Sequence, residues 1–170
     1  MSRVLLSIGS NMGDRLARLQ SVVDGLGPAV RSVSPVYETD AWGGVEQEPF
    51  LNAVLFADDG ALDCHGWLRR AHELEAAAGR VRARRWGPRT LDVDLVICHD
   101  GQLEVASCDD ELTLPHPLAH RRAFVLIPWL ALEPDAMLTV GGQPRSVAAL
   151  LDELQPAERD GVRLTELKLG

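Results

Sequence analysis

At 170 residues, 46% of them hydrophobic and 25% charged, with a formal net charge of −8, the chain is expected to form a single globular domain over residues 1–170. The acidic balance argues against a general nucleic-acid binder, and the longest apolar runs, "VLLSIG" and "AFVLIPWLAL", fall short of the ~20 residues a membrane span requires. Three cysteines, Cys64, Cys98 and Cys108, lack CxxC spacing and argue against both a disulfide framework and a zinc ribbon. The expected setting is the cytoplasm, since the short apolar stretch of "MSRVLLSIGSN" runs directly into a polar turn rather than forming a secretory signal. A monomer is expected, with neither nucleic acid nor membrane as partner.

Val4 to Gly9 reads as a strand that ends in the turn-rich "GSNMGD". Asp14 is placed to cap a helix whose stripe is Leu16, Leu19, Val22, Val23 and Leu26, and Gly27-Pro28 stops it. Residues 29–39 alternate as one strand and "FLNAVLFA" from Phe50 is the next, joined by the long loop "DAWGGVEQEP". A second amphipathic helix carries Cys64, Trp67, Leu68, Ala71, Leu74 and Ala78 and ends at Gly79. An arginine-rich stretch leads into a further strand, "TLDVDLVIC". "HDGQ" is a turn, Arg121 to Leu132 is helical, and Ser146 to Leu154 is a short helix. The order strand, helix, strand, strand, helix, strand is that of an α+β ferredoxin-like sandwich, here with a C-terminal extension.

The charge pattern is concentrated in "RVRARRWGPRTLDVD". The two-residue period of a strand sends Asp92 and Asp94 to one face and Leu91, Val93 and Leu95 to the other. Paired carboxylates suit Mg²⁺, a hard cation that shares its remaining positions among phosphate oxygens and water; a lone DxD is more often a solvated strand face, and it is the neighbouring arginines that favour the metal. Arg80, Arg82, Arg84, Arg85 and Arg89 precede the aspartates, so cations and carboxylates meet at one mouth, where a metal-bound polyphosphate satisfies both. No GxxxxGK[ST] loop is present, and Lys168 is the only lysine.

Glu75 lies on the apolar stripe of its helix, where a carboxylate needs a partner: an arginine within the fold, or a ligand at the helix end. His116 and His120 have i, i+4 spacing, but Pro115 and Pro117 keep the first out of a helix, so His116 and Arg122 read better as anion contacts than as zinc ligands. Phe50 and Phe124 are ordinarily core residues, and Asn52 is an amide that needs hydrogen bonds inside an apolar strand.

Taken together, "SIGSN", "FLNA", "GRVR", "RWGPRTLDVDL", "LPHP" and "RRAFVL" resemble the 6-hydroxymethyl-7,8-dihydropterin pyrophosphokinases of folate biosynthesis over nearly the whole chain. The resemblance implies a ferredoxin-like core and transfer of pyrophosphate from ATP, the co-substrate, to the pterin hydroxymethyl group, leaving AMP. It implies that Asp92 and Asp94 bind two Mg²⁺ and that Arg82 and Arg89 are catalytic, on a mobile lid. His72, Glu75, Arg80, Arg82, Trp86, Arg89, His116 and Arg122 are then the ATP side of the site. Phe50 and Phe124 sandwich the pterin, Asn52 reads its ring edge, Thr39, Asp40 and Trp42 contribute largely through backbone, and Trp86 closes over it. Relative to the family pattern, Asp40 and Ala41 replace prolines, Ala83 replaces a frequent lysine, and Phe50 replaces a tyrosine.

Two rivals use the same residues. A metal-dependent glycosyltransferase or nuclease uses the DxD, and a ferredoxin-like RNA-binding module uses the arginine loop, although the aromatic-rich strand motif of the latter is missing.

Overall fold

The computed structural model describes residues 2–41, 47–79 and 90–170. Strand β1 (Ser2–Ser10) is followed by α1 (Arg15–Leu26), β2 (Val30–Val33), β3 (Tyr37–Thr39), β4 (Phe50–Asp59), α2 (Cys64–Ala77) and β5 (Asp92–Asp100). Beyond these come β6 (Leu103–Glu104), β7 (Ser107–Cys108), β8 (Thr113–Leu114), α3 (Ala123–Leu132), β9 (Met137–Val140), β10 (Gln143–Ser146), α4 (Val147–Asp152), α5 (Pro156–Asp160) and β11 (Val162–Leu164). The result is a mixed α/β fold. Its seven-stranded antiparallel sheet runs β11-β3-β4-β1-β5-β6, with β2 also paired to β4. No described helix is long and apolar enough to cross a membrane.

The helix ends follow from local chemistry. The Asp14 carboxylate accepts the Ala17 N–H at 3.1 Å and that of Asp63 accepts the Gly66 N–H at 2.7 Å, satisfying donors that the first turns of α1 and α2 leave open. Gly79, at φ +78°, ends α2 in a left-handed conformation that few other residues tolerate. The expected strand over 29–39 is two strands. Pro35 has no N–H for the ladder, and Ser34 bridges the break by exchanging bonds with Val54 through its own N–H and its Oγ. The β9–β10 hairpin, β11 and α5 lay beyond the expected elements.

Two apolar layers flank the sheet. Val4, Leu6 and Ile8 of β1 pack with Leu19, Val22, Trp67, Ala71 and Leu74 of α1 and α2. On the opposite face Leu5, Val54, Phe56, Val96 and Ile97 pack with Val125, Leu126 and Trp129 of α3 and with Val147 and Leu150 of α4. This second layer covers only one end of its face. At the other end stand Ser7, Gly9, Phe50, Asn52, Asp92 and Asp94, and the site is built there.

One sequence expectation is overturned. Cys64, at the start of α2, is disulfide-bonded to Cys98 of β5, with a Cα–Cα distance of 6.1 Å. Simple alternation from Asp92 and Asp94 would put Cys98 on their face. Between Leu95, opposite Leu6, and Ile97, opposite Leu5, Val96 is an extra residue, and this bulge moves Cys98 to the α2 face. Spacing along the chain carried no trace of it.

Candidate active site

Three strands in register build the floor of the site. Gly9 of β1 stands opposite Asn52 of β4 on one side and opposite Asp92 of β5 on the other; one rung along, Ser7 stands between Val54 and Asp94. β3 extends the same floor, with Tyr37 opposite Asn52 and Thr39 opposite Phe50. The α2 side of β5 is filled as expected by Leu91, Val93 and Leu95, at 0%, 3% and 4% exposure. Asp92 and Asp94 therefore share the site face.

Asp94 lies recessed, and that position raises its carboxyl well above the usual range, reinforced by the charge of Asp92 and a hydrogen bond to it. Arg122, with Nη1 at 3.7 Å from Asp94 Oδ2, opposes the shift, and Glu75 adds to it. The two carboxylates thus repel each other, and that repulsion helps hold the Asp94 carboxyl above its usual range. A hard divalent cation would relieve that repulsion, and two adjacent carboxylates with room for phosphate and water form a suitable donor set. Among the described residues, no cluster of three or more His, Cys, Asp or Glu provides a protein-only metal cage.

Glu75 is 3% exposed, and its carboxylate accepts the Val93 N–H at 2.9 Å. Val93 lies between the two aspartates on a stretch of β5 that no described strand borders outward, and there the helix side chain takes up the edge donor. Of the two alternatives for this residue, a partner within the fold is present, and the Val93 backbone is one such. His116 joins the same edge further along, donating its backbone N–H to Val96 C=O at 2.9 Å. Its ring Nδ1 accepts the Leu118 N–H at 3.1 Å, which leaves the ring proton on Nε2. Burial, helped by Arg122 and opposed by Asp92, lowers the His116 pKa to about 4, so the imidazole is a neutral donor near pH 7. His72, Leu68, Val93, Asp94, Thr113 and His116 line a cavity of about 210 Å³ between α2, the edge of β5 and the β7–β8 hairpin. That hairpin was not foreseen as part of the site.

At the other end of the floor, Phe50 and Phe124 are both partly exposed, and Phe124 also packs against the second apolar layer. The Arg122 guanidinium lies 5.4 Å from the Phe124 ring centroid. Asn52, 5% exposed, accepts the Thr39 hydroxyl proton at Oδ1 and donates from Nδ2 to Ile8 C=O at 3.3 Å. Thr39 therefore acts through its side chain, holding the amide in place. Asp40 donates its N–H to Gly161 C=O at 2.9 Å and accepts from Arg163 at 3.1 Å, tying the end of β3 to the C-terminal segment. Trp42, Arg80, Arg82, Trp86 and Arg89 lie outside the described residues. Gly9 was missed as a site residue, although a glycine inside an apolar strand signals close approach by another group.

Residues 5–134 match the family model described as 7,8-dihydro-6-hydroxymethylpterin-pyrophosphokinase (HPPK). The chain is 63% identical over 169 residues to the 2-amino-4-hydroxy-6-hydroxymethyldihydropteridine pyrophosphokinase of Mycobacterium tuberculosis (strain ATCC 25618 / H37Rv), covering 96% of this chain and 90% of that protein. The protein of the same name from Methylorubrum extorquens is 42% identical over 161 residues, covering 92% of this chain and 96% of its own. Among solved structures, the wild-type HPPK-DHPS of Plasmodium falciparum with pterin and p-hydroxybenzoate superposes with a TM-score of 0.63 at 10% identity, a likeness of fold. It covers 89% of this chain and 43% of that one, so the present chain spans less than half of the solved protein.

Proposed function

Because this chain belongs to the 7,8-dihydro-6-hydroxymethylpterin-pyrophosphokinase family, whose relatives are named as pyrophosphokinases, we propose that it catalyses the Mg²⁺-dependent transfer of pyrophosphate from ATP to the hydroxymethyl group of 6-hydroxymethyl-7,8-dihydropterin. The alcohol oxygen bonds to the β-phosphorus, the bond from that phosphorus to the α–β bridging oxygen breaks, and AMP leaves; the alcohol proton passes to solvent. We read the core as a ferredoxin-like sandwich, a reading supported by the order β3-β4-β1-β5 in an antiparallel sheet with α1 and α2 on one face.

The observation that carries the proposal is the row Asn52, Gly9, Asp92. Two strand spacings, about 10 Å, separate the backbone of Asn52 from that of Asp92, and no side chain rises from the glycine between them. A flat bicyclic ring held by Asn52 and stacked between Phe50 and Phe124 has room to extend its hydroxymethyl arm toward the aspartates. The 210 Å³ cavity beyond Asp94 takes the nucleotide, with His72 and Thr113 on its walls. The two substrates thus approach Asp92 and Asp94 from opposite sides.

Asp92 and Asp94 hold two Mg²⁺, which when bound withdraw charge from the phosphate oxygens and make the alcohol easier to deprotonate. The neutral His116 donates from Nε2 to phosphate, and Arg122, next to Asp94, supplies a fixed positive charge. Glu75 keeps the β5 edge in place. For Arg80, Arg82, Trp86 and Arg89 the assignment to the triphosphate, and for Trp42 the assignment to the pterin, rest on the motif alone. The test is a product assay with ATP, Mg²⁺ and 6-hydroxymethyl-7,8-dihydropterin. AMP in step with pterin consumption is expected, and ADP or no turnover would refute the proposal.

A further inference from the structure

Gly9 lies inside β1, paired on both sides, and it is not among the glycines of positive φ. Its backbone conformation is open to any residue, so the reason for glycine is space. A Cβ built at Gly9 falls 2.4 Å from Asn52 Nδ2, closer than Cβ contacts essentially ever come, while its nearest contact outside Asn52, Phe50 Cδ2 at 3.5 Å, is ordinary. The clash is therefore specific to the amide. Asn52 has a short side chain and is held at both ends, by the Thr39 hydroxyl at Oδ1 and by Ile8 C=O at Nδ2. It cannot swing aside without losing one of these bonds inside a site where it is only 5% exposed.

We propose that Gly9 is a positioning residue for pterin recognition: the bare backbone at this rung lets Asn52 lie across β1 and present its amide to the ring edge. Asn52 has two amide hydrogens and two acceptor lone pairs, and the bonds to Thr39 and Ile8 use one of each. One donor and one acceptor are left for a ligand, in an orientation set by the internal pair. A methyl group at position 9 displaces the amide, breaks the internal pair and misaims that donor and acceptor, while leaving the nucleotide cavity beyond Asp94 untouched. This inference rests on the proposed role of Asn52 in pterin binding.

The experiment compares Gly9→Ala, Asn52→Ala and the double variant. Affinity for 6-hydroxymethylpterin is read by fluorescence with saturating Mg²⁺ and α,β-methylene-ATP, and affinity for α,β-methylene-ATP with Mg²⁺ is read by calorimetry. Gly9→Ala is expected to weaken pterin binding at least tenfold and nucleotide binding less than twofold. In the double variant, pterin affinity should match that of Asn52→Ala within twofold, because the group that the methyl displaces is gone. Pterin affinity within twofold of wild type in Gly9→Ala, losses that multiply in the double variant, or an equal loss of nucleotide would each overturn the inference. If Asn52→Ala itself binds pterin normally, the reading of Asn52 falls and the inference with it; if Asn52→Ala is impaired and Gly9→Ala is not, only the inference falls. Should Gly9→Ala fold poorly, adding Asn52→Ala is expected to restore the melting temperature of the Asn52→Ala protein, and failure to do so counts against a clash with the amide.

Discussion

The carboxylate of Glu75 on α2 accepts the backbone N–H of Val93 on β5 at 2.9 Å, between the two aspartates of the site. A helix residue thus takes up an edge donor that no described strand accepts, and ties α2 to the stretch of β5 that carries Asp92 and Asp94. Their geometry depends on a residue that lies behind them.

Glu75→Ala leaves a buried N–H without this acceptor and is expected to cost about 1–3 kcal/mol of stability in urea unfolding. Glu75→Gln keeps an acceptor oxygen at the same reach and should lose less than half as much. Turnover should fall in the same order. Equal losses in the two variants would mean that charge, rather than the bond to Val93, is what matters.

Asp94→Asn should abolish turnover and yet raise the melting temperature of the metal-free protein by about 2–4 °C, the shift expected for ~1 kcal/mol in a chain of this size. The sign follows from linkage. The folded state holds the Asp94 proton more tightly than the unfolded chain, so stability is lost as pH rises from the ordinary carboxylate range through the raised folded value. Asparagine removes that cost. A lower melting temperature for Asp94→Asn at neutral pH would contradict the proposed repulsion between Asp92 and Asp94.

His116 works in the opposite direction. Its folded pKa, about 4, lies below the ordinary value of 6.5, so its contribution is complete above the unfolded value and disappears as pH falls toward 4. Unfolding free energies measured between pH 7.5 and 4 should decline across that window, and the decline should be smaller in His116→Gln. Identical pH profiles for the two proteins would show that His116 titrates normally.

The Cys64–Cys98 bond predicts one reactive thiol in the denatured, unreduced chain and three after reduction, because the sequence contains three cysteines. The bridged residues are separated by 34 positions, and a loop of that size stabilises by about 3–4 kcal/mol in the chain-entropy account. Reduction should lower the urea midpoint accordingly. Three reactive thiols without a reductant would place the two cysteines side by side but unbonded.

Much of this was legible in the chain itself. The spacing of Leu19, Val22 and Leu26 and of Trp67, Ala71 and Leu74 identified the buried sides of α1 and α2, because an amphipathic helix writes its packing face into its own period. The alternation around Val93 put Asp92 and Asp94 on a common face for the same local reason. Asp14 and Gly79 marked helix ends because capping involves only neighbouring residues. Ser34-Pro35 was the local signal misjudged, since a missing N–H was enough to divide the strand.

Other features have no local cause. Cys98 faces Cys64 only because the bulge at Val96 shifts the alternation, and a bulge arises from pairing two strands far apart in sequence. Gly9 becomes the floor beneath Asn52 only once β1 and β4 are in register, and the Glu75 carboxylate meets the Val93 N–H only because α2 packs against β5 where no described strand pairs with it. The low pKa of His116 requires burial beside Arg122, a proximity set by packing between distant segments. By itself the sequence determined which residues have the chemistry and which local faces they occupy. Only the tertiary structure decided which of them meet, because register, edge and burial are properties of how distant segments pair and pack.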